Sequence, residues 1–364
     1  MDFSCSRRKF FHTTLAAAGV GVSALRSSTA SQQSAATLNA ESIPPAGPRS
    51  VVSLLKGEDR RKNVYNALVA IDDELLPKLK QKSSVVIKPN NVSTSKQLAS
   101  THADALRGIL DYLDERFKGK VAIAESSAGN TWDGFESFLY TRLPGEYRKL
   151  QVSLVDLNEE GKYEILYILD GDMHITPVRL AARLLDPDAF ILNAGVLKTH
   201  NAVVATLSVK NMTLGAPLHQ GPKETKRWSD KRKYHGGVRQ AHVAIMQTAQ
   251  RMKPYWSATV VDGFEGMEGN GPASGTPVPS RLALASTDLV AADRVGIETM
   301  GIDPEWPAYL NYCGQVGVGQ YDLRQIDIRG EKIADLRKEY RLHRDIERQL
   351  MWRGPMVDIP PRLG

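Results

Sequence analysis

The stretch FILNAGVLKTHNAVVATLSVKNMTLGAPL, residues 190–218, decides the fold of this chain. Its opening apolar run is too short for an isolated helix and is bounded by Asn193 and Gly195, which predicts a buried strand. Polar side chains follow where this strand is expected to end, and a second apolar segment, residues 203–209, comes after them. The polar residues of the stretch include Asn193, Lys198, Thr199, His200, Asn201, Lys210 and Asn211.

These polar side chains predict a ligand site. In an open α/β sheet, ligands bind at the carboxyl ends of the strands. Removing a lysine from water is costly, so lysines that alternate with core-like runs need a partner or a ligand. The alternative is that these residues lie in solvated surface loops that happen to be basic.

Strands and helices alternate before and after this stretch. The alternation predicts an α/β fold with a mostly parallel sheet and helices on both faces, in one lobe or two. Strands are predicted at residues 51–55, 85–87, 121–124, 152–155, 259–261, 282–285 and 323–328, hairpin strands at 164–169 and 172–175, and helices at 63–79, 101–117, 132–140, 179–185, 238–252, 289–300 and, on the surface, 332–352.

A lysine and two asparagines end the strand predicted at residues 85–87. Lys88, Asn90 and Asn91 follow their strand as Lys198 and its neighbours follow theirs. We therefore expect Lys88 and Asn90 to contact the same ligand. The alternative is an ordinary turn, because proline and asparagine favour turns.

The segment after the strand at residues 259–261 is rich in carboxylates and glycines. Asp262, Glu265, Glu268 and Asn270 lie there among four glycines. Clustered carboxylates repel one another unless a cation neutralises them, and oxygen ligands suit Mg²⁺ or Ca²⁺. Asp262 and Glu268, with His200, are therefore candidate metal ligands, and the two carboxylates are also candidate general bases. A solvated glycine loop is the alternative.

The N-terminus has the pattern of a twin-arginine export leader. Arg7 and Arg8 precede a weakly apolar run, and small residues up to Ala30 offer a cleavage site. We expect export by the twin-arginine (Tat) machinery to the periplasm. The expected boundaries are 1–30 for the leader, 31–49 for a linker, 50–330 for the α/β domain and 331–364 for a C-terminal helix and tail.

Composition narrows the function classes. The net charge is +6, of which the leader contributes +3, so nucleic-acid binding is not expected. No apolar run is long enough for a stable membrane span. Cys313 is the only cysteine outside the leader, so we expect no thiolate-ligated iron–sulfur cluster. The polar and basic residues 220–237 form either a lid or a plain insertion.

Four blocks of this sequence resemble one known family. They are VVIKPN (85–90), VLKTH with SVKNM (196–212), VVDGFEGMEGNGP (260–272) and LASTDLVAAD (284–293). In this order they resemble the domain-of-unknown-function 362 family across roughly residues 50–330. The family positions that match are Lys88, Asn90, Lys198, His200, Lys210, Asn211, Asp262, Glu268 and Asn270.

We therefore expect an exported enzyme that acts on a small anionic carboxylate or phosphate by isomerisation or hydrolysis, with a divalent metal as an option. Lys88, Asn90, Lys210, Asn211 and Asn270 would bind the substrate. Lys198, His200, Asp262 and Glu268 would carry the chemistry, because neutral histidine and carboxylates transfer protons or bind metals. The alternative is a non-enzymatic periplasmic protein that binds a metal or cofactor.

Overall fold

A ten-stranded sheet is the frame of the computed structural model, which describes residues 49–355. The described residues form twelve strands, of which β5 and β6 lie outside this sheet. The strands are β1 (Ser50–Lys56), β2 (Ser84–Lys88), β3 (Lys120–Glu125), β4 (Gln151–Asp156), β5 (Tyr163–Leu169), β6 (Ile175–Ala181), β7 (Ala189–Thr199), β8 (Ala205–Thr206), β9 (Trp256–Glu268), β10 (Thr276–Val278), β11 (Leu282–Ser286) and β12 (Ile326–Gly330).

Most neighbouring strands of the sheet are parallel. The main path runs β12-β1-β11-β9-β7-β2-β3-β4, and within it only the two pairings of β11 are antiparallel. The short strands β8 and β10 add antiparallel pairings to β7 and β9. Strands β5 and β6 form a separate antiparallel hairpin. The prediction of a mostly parallel sheet is confirmed.

Helices surround the sheet. Within residues 49–355 they are α1 (Arg60–Val69), α2 (Asp72–Leu79), α3 (Ala103–Arg116), α4 (Thr131–Ser137), α5 (Leu143–Glu146), α6 (Leu157–Glu160), α7 (Ser208–Gly215), α8 (Val238–Met252), α9 (Leu289–Thr299), α10 (Ala308–Gln315), α11 (Ile333–Leu336) and α12 (Ile346–Leu350). Short 3₁₀ turns occupy Gln97–Ala99, Tyr140–Arg142, Ala182–Leu185, Asp230–Tyr234, Lys253–Tyr255, Leu323–Gln325 and Met351–Arg353. None of the helices described has the length and apolar character needed to cross a membrane.

Two hydrophobic cores lie on the two faces of the sheet. Side chains alternate along β7, so that Phe190 and Leu192 pack with α1 and α3, whereas Ile191 and Leu197 pack with α7, α8 and α9. Because both faces are covered, the central strands contain short continuous apolar runs. The α/β class with helices on both faces is thus confirmed, and the described residues fall within one compact unit.

The sheet has a switch point between β2 and β7. From β2 the chain crosses by α3 to β3, whereas from β7 it crosses by α7 and α8 to β9 in the opposite direction. These helices pack in the two different cores, so the connections leave on opposite faces. Such a point opens a crevice at the carboxyl ends of the two strands, where ligands bind in α/β proteins.

Several element boundaries differ from the predictions. β7 continues through Asn193 to Thr199 and β9 continues through Asp262 to Glu268, so neither polar stretch begins a loop. The predicted helix 63–79 is two helices, α1 and α2. The second hairpin strand lies at 175–181, and the helix predicted at 179–185 is limited to the 3₁₀ turn at 182–185.

The prediction of one helix at 332–352 is wrong. Within it, α11, α12 and the 3₁₀ turn that begins at Met351 are helical, and residues 337–345 form neither helix nor strand. The amides of Lys338 and Tyr340 donate to Thr299 and Met300 carbonyl oxygens at the end of α9, and Arg341 accepts from the Gly269 amide. These tertiary hydrogen bonds replace those of a helix. The predicted leader, and the predicted linker up to residue 48, lie outside the described residues.

Candidate functional site

Lys88 is the centre of a buried polar cluster in the crevice. It is the last residue of β2 and is 1% exposed. Its Nζ donates to Pro89 O at 2.8 Å, to Asn211 Oδ1 at 2.9 Å and to Glu125 at 3.0 Å. Burial lowers the pKa of Lys88, and the charge of Glu125 opposes that shift. All three amine hydrogens are used, so this lysine organises the cluster and has none left for a ligand.

Glu125 ends the neighbouring strand β3 and is equally buried. Besides Lys88, its carboxylate accepts the amides of Asn91 at 2.9 Å and Ser126 at 2.8 Å. The carboxylate is therefore committed to the fold of the crevice and is not a free base. Sequence reasoning missed it, although its place at a strand end beside the strand of Lys88 was a usable signal.

Helix α7 carries Lys210 and Asn211 into the crevice. The amides of Ser208 and Val209 in its first turn donate to the two oxygens of buried Asp293, at 2.7 and 2.8 Å. The Asn211 amide group then donates to Asn193 Oδ1 at 2.7 Å and to Pro89 O at 3.2 Å. These contacts hold α7 on both sides of Lys210, at residues 208–209 and at Asn211. They therefore fix the direction in which the Lys210 side chain leaves the helix.

Lys198 approaches the same region from β7. Its Nζ donates to Asn90 Oδ1 at 3.0 Å and to Ala99 O at 2.5 Å, and the residue is 1% exposed. Burial, followed by the charges of Lys210 and Lys88, holds its pKa well below the usual range. The cluster therefore favours a neutral Lys198 amine held by two oxygen acceptors.

A cavity of about 60 Å³ opens beside these groups. This is room for a small ion together with water. Two of its polar atoms, Thr206 Oγ1 and Asn91 Nδ2, are fully buried and have no hydrogen-bond partner within residues 49–355. Lys210 is 6% exposed, and its Nζ forms no hydrogen bond with these residues either. All three can donate a hydrogen bond. The cavity is lined by Lys88, Asn90, Asn91, Val92, Glu125, Ser126, Ala128, Thr206, Lys210, Asn211, Leu214, Gly215 and Lys231.

Two lysines of the cavity have strongly shifted pKa values. Lys210 is 6% exposed, and burial followed by the charge of Lys88 lowers its pKa to about 7. Burial is also the main reason why the pKa of Lys231 falls to about 7. Lys231 Nζ donates to Leu214 O at 3.1 Å and Gly215 O at 3.3 Å in the last turn of α7. Neither lysine forms an ion pair with a carboxylate among the described residues.

Lys231 belongs to the segment 220–237, for which the sequence leaves a lid and a plain insertion as alternatives. Residues 222–227 are exposed, whereas Asp230 and Tyr234 are buried. Asp230 pairs with Arg179 at 2.8 Å, and Tyr234 bonds Thr248 at 2.7 Å. The part that lines the cavity is thus anchored, and movement of the exposed part stays a prediction.

His200 lies immediately after β7 and outside the cavity lining. Its Nδ1 accepts the Ala202 amide at 3.0 Å, which leaves the proton of the neutral ring on Nε2. Burial, followed by the charges of Lys210 and Lys198, holds its pKa well below the usual range. The loop is braced by Gln349, which donates to His200 O at 2.9 Å and accepts the Val204 amide at 2.7 Å. Val204 has φ +71°, a strained value for a β-branched residue.

The structure does not bring Asp262, Glu268 and Asn270 into this cluster. Asp262 pairs with Arg60 at 3.2 Å beside His102, in a separate niche of about 10 Å³, and burial raises its pKa. Glu268 accepts the Arg341 amide at 2.9 Å, and Asn270 is exposed. These two residues hold the C-terminal segment.

The predicted metal ligands are therefore dispersed. Within the described residues, the ligand atoms of His200, Asp262 and Glu268 do not gather within 4.8 Å, whereas those of Asp170, Asp172 and His174 on the hairpin do. The cavity itself presents amines and other donors, whereas a divalent cation requires acceptors. An anion is the ligand that suits this donor set.

Fold and site together define an α/β protein with a cationic cavity at a sheet switch point. The chain belongs to the family described as domain of unknown function (DUF362), which matches residues 85–298, more than half of its length. The resemblance noted in the sequence is thus confirmed. The matched residues include every residue that lines the cavity.

Two more distant similarities accompany this match. The thylakoid-associated protein sll1697 of Synechocystis sp. is 30% identical over 138 residues, which are 38% of this chain and 40% of that protein. The chain thus matches less than half the length of that relative. A Thermotoga maritima crystal structure, solved as a structural-genomics target, covers 58% of this chain and 52% of its own at 10% identity and a TM-score of 0.37.

Proposed function

We propose that this protein is an enzyme that binds a small anionic molecule, a carboxylate or a phosphate, in the cavity at the carboxyl ends of β2, β3 and β7. One observation carries the proposal. Lys210 lines the cavity, is only 6% exposed, and forms no hydrogen bond through Nζ with the described part of the chain. A largely buried amine without a protein partner is costly, so we infer that the site is built for a group in the cavity that supplies one.

The charges around the cavity support the same ligand class. The charge of Lys88 is offset by Glu125, but Lys210 and Lys231 have no carboxylate partner among the described residues. An anion would interact favourably with the charged form of either amine in a region of low dielectric. Thr206 Oγ1 and Asn91 Nδ2 would donate to its remaining oxygens.

The chemistry we propose is proton transfer, as in isomerisation. An amine whose pKa lies near 7 gives and takes protons readily at neutral pH. The neutral Lys198 amine and the neutral His200 ring, with its proton on Nε2, would assist from the wall of β7. Metal-assisted hydrolysis is less well supported, because the predicted metal ligands lie apart.

The proposal is tested by calorimetric titration of the full chain with acetate, lactate and inorganic phosphate. We expect saturable binding of at least one of them. Lys210→Met should weaken that binding by about tenfold or more, since it removes a charge-assisted hydrogen bond of about 1.5–3 kcal/mol. Lys226→Met is the matched control, because it removes the same charge from an exposed side chain. Equal binding by both variants would refute the proposal.

A non-enzymatic binding protein is the second candidate function. The observation in its favour is Glu125, the carboxylate of the cavity, which is fully engaged by Lys88, Asn91 and Ser126 and so is not free to act as a base. Exchange of substrate C–H protons with deuterated water separates the two candidates. Binding of lactate without exchange or turnover would favour the binding protein.

A further inference from the structure

We propose that Lys210 is an amine nucleophile that forms an imine with the carbonyl carbon of an anionic oxo compound, such as a 2-oxo acid. This inference rests on the proposed function and names the substrate class of the same cavity. Lysines form such adducts when they are kept neutral by burial and by a neighbouring cation.

The contacts of the neighbouring lysines single out Lys210. Lys88 donates three hydrogen bonds, Lys198 donates two to oxygen acceptors, and Lys231 donates two to carbonyl oxygens. Lys210 donates none within residues 49–355, although it is as buried as a core residue. Its nitrogen is therefore the one in the cluster that is free to approach a substrate atom.

The surroundings of Lys210 keep the nitrogen lone pair available. The Lys88 cation lies close enough to oppose protonation of Lys210, and burial acts in the same direction. Glu125, which would favour protonation, is turned toward Lys88 and two backbone amides. Helix α7 holds the stem in place through the cap formed by Asp293.

The other unpartnered groups match the oxygens of an oxo acid. Thr206 Oγ1 and Asn91 Nδ2 line the same cavity and have no partner in the described residues. They can donate hydrogen bonds to the carbonyl oxygen, which polarises the carbon. Lys231, at the opposite end of α7 from the cap, can hold the carboxylate.

The reaction balances without an oxidant or a reductant. The Lys210 nitrogen forms a bond to the carbonyl carbon while the C=O π electrons move to oxygen, and one of the two amine protons passes from nitrogen to that oxygen. The carbinolamine then loses its hydroxyl and a nitrogen proton as water, which leaves the C=N double bond. A protonated imine attracts electrons from the adjacent carbon, and this assists removal of a proton there.

The test is reductive trapping with pyruvate as the probe. The full chain is incubated with pyruvate and sodium borohydride, and intact mass spectrometry followed by peptide mapping locates any adduct. We expect one reduced pyruvate adduct, on Lys210. Lys210→Arg keeps a positive charge but should give no adduct, and the matched Lys226→Met variant should react like the parent chain.

Lactate titration makes the two proposals separable, because lactate has the carboxylate but no carbonyl group. Lactate binding with no pyruvate adduct, or with an adduct that persists in Lys210→Arg, would overturn the imine and leave the proposed function standing. The imine would be established if pyruvate is trapped on Lys210 in the parent chain and no adduct forms in Lys210→Arg, although lactate still binds to that variant. Absence of lactate, acetate and phosphate binding would overturn the proposed function itself.

Discussion

Residue type alone does not set the role of a lysine in this site; its contacts do. Lys88 forms an ion pair with Glu125 and donates all its hydrogen bonds, and Lys198 donates to an asparagine and a carbonyl oxygen. Lys231 donates to carbonyl oxygens in the last turn of α7. Lys210, which is 6% exposed, is the one of these four lysines that forms no hydrogen bond through Nζ with the described residues. The ligand should therefore depend most on Lys210.

Carboxylate affinity should fall as the pH rises from about 6 to about 8. Lys210 and Lys231 both have a pKa lowered to about 7, so both lose charge in this window, whereas acetate stays ionised. We expect the acetate Kd to rise by about tenfold or more. Calorimetry across this range measures the effect. The other titratable groups that face the two amines are Lys88, Lys198, His200, Glu125 and Asp156.

The variants Lys210→Met and Lys231→Met assign that pH dependence. Each removes one titrating amine, so each should reduce the slope of log Kd against pH without abolishing it. The pKa of His200 lies well below this window, so its titration does not contribute. A Kd that is constant, or that falls with rising pH, would contradict the assignment.

Sequence reasoning located part of the cluster. Lys88, Asn90, Lys198, Lys210 and Asn211 were chosen because they follow apolar segments, and the structure does bring them together. The partners that give each lysine its role could not be predicted, because these contacts join distant segments. Glu125 is 37 residues from Lys88. Asp262 pairs with Arg60, and Glu268 accepts the Arg341 amide, although both partners are distant in sequence.

At the scale of the element, helix α7 depends on a buried cap. Asp293 belongs to α9, yet both its oxygens accept amides from the first turn of α7. Burial raises the pKa of Asp293 from 3.8 to about 7. Between those two values the folded protein binds more protons than the unfolded chain, so the free energy of unfolding decreases as the pH rises through the window.

The variant Asp293→Asn should lose this pH dependence. An amide cannot titrate, and its NH₂ group would face one of the two backbone amides, so we also expect a loss of about 1–3 kcal/mol at low pH. The stability advantage of the parent chain over the variant should shrink from about pH 4 to about pH 7. Denaturant unfolding at several pH values measures both effects. Parallel pH profiles of the two proteins would refute the role of Asp293.

Element types were easier to predict than element ends. The helix at 238–252 matches its prediction because its apolar residues recur with helical spacing. β7 and β9 run on past their apolar cores because Asn193, Lys198 and Asp262 find partners for their polar groups within the protein. A polar residue indicates the end of a strand when its side chain is hydrated. The sequence does not show whether the side chain is instead bonded within the protein.

At the scale of the whole molecule, the alternation of strands and helices was sufficient to predict the fold class. It was not sufficient to predict the strand order, because the pairing of β7 with both β2 and β9 joins segments far apart in sequence. That order creates the crevice in which the cavity lies.

We propose that the chain is exported by the twin-arginine pathway. Replacing Arg7 and Arg8 together by lysine keeps the charge and removes the arginine pair, so we expect the precursor to accumulate in the cytoplasm without cleavage after Ala30. Arg26→Lys is the control within the same leader. Cell fractionation and intact mass of the product measure the outcome, and normal delivery of the double variant to the periplasm would refute the proposal.

Gln349, which braces the His200 carbonyl and the Val204 amide, comes 149 residues after His200. During synthesis the loop therefore leaves the ribosome long before its brace is made. Helix α7 lacks its cap until Asp293 emerges, and the strained turn at Val204 lacks the hydrogen bond to its amide until residue 349 emerges. Translation thus imposes an order on this site, in which the two hydrogen bonds from Gln349 to the loop form after the lysines have been synthesised.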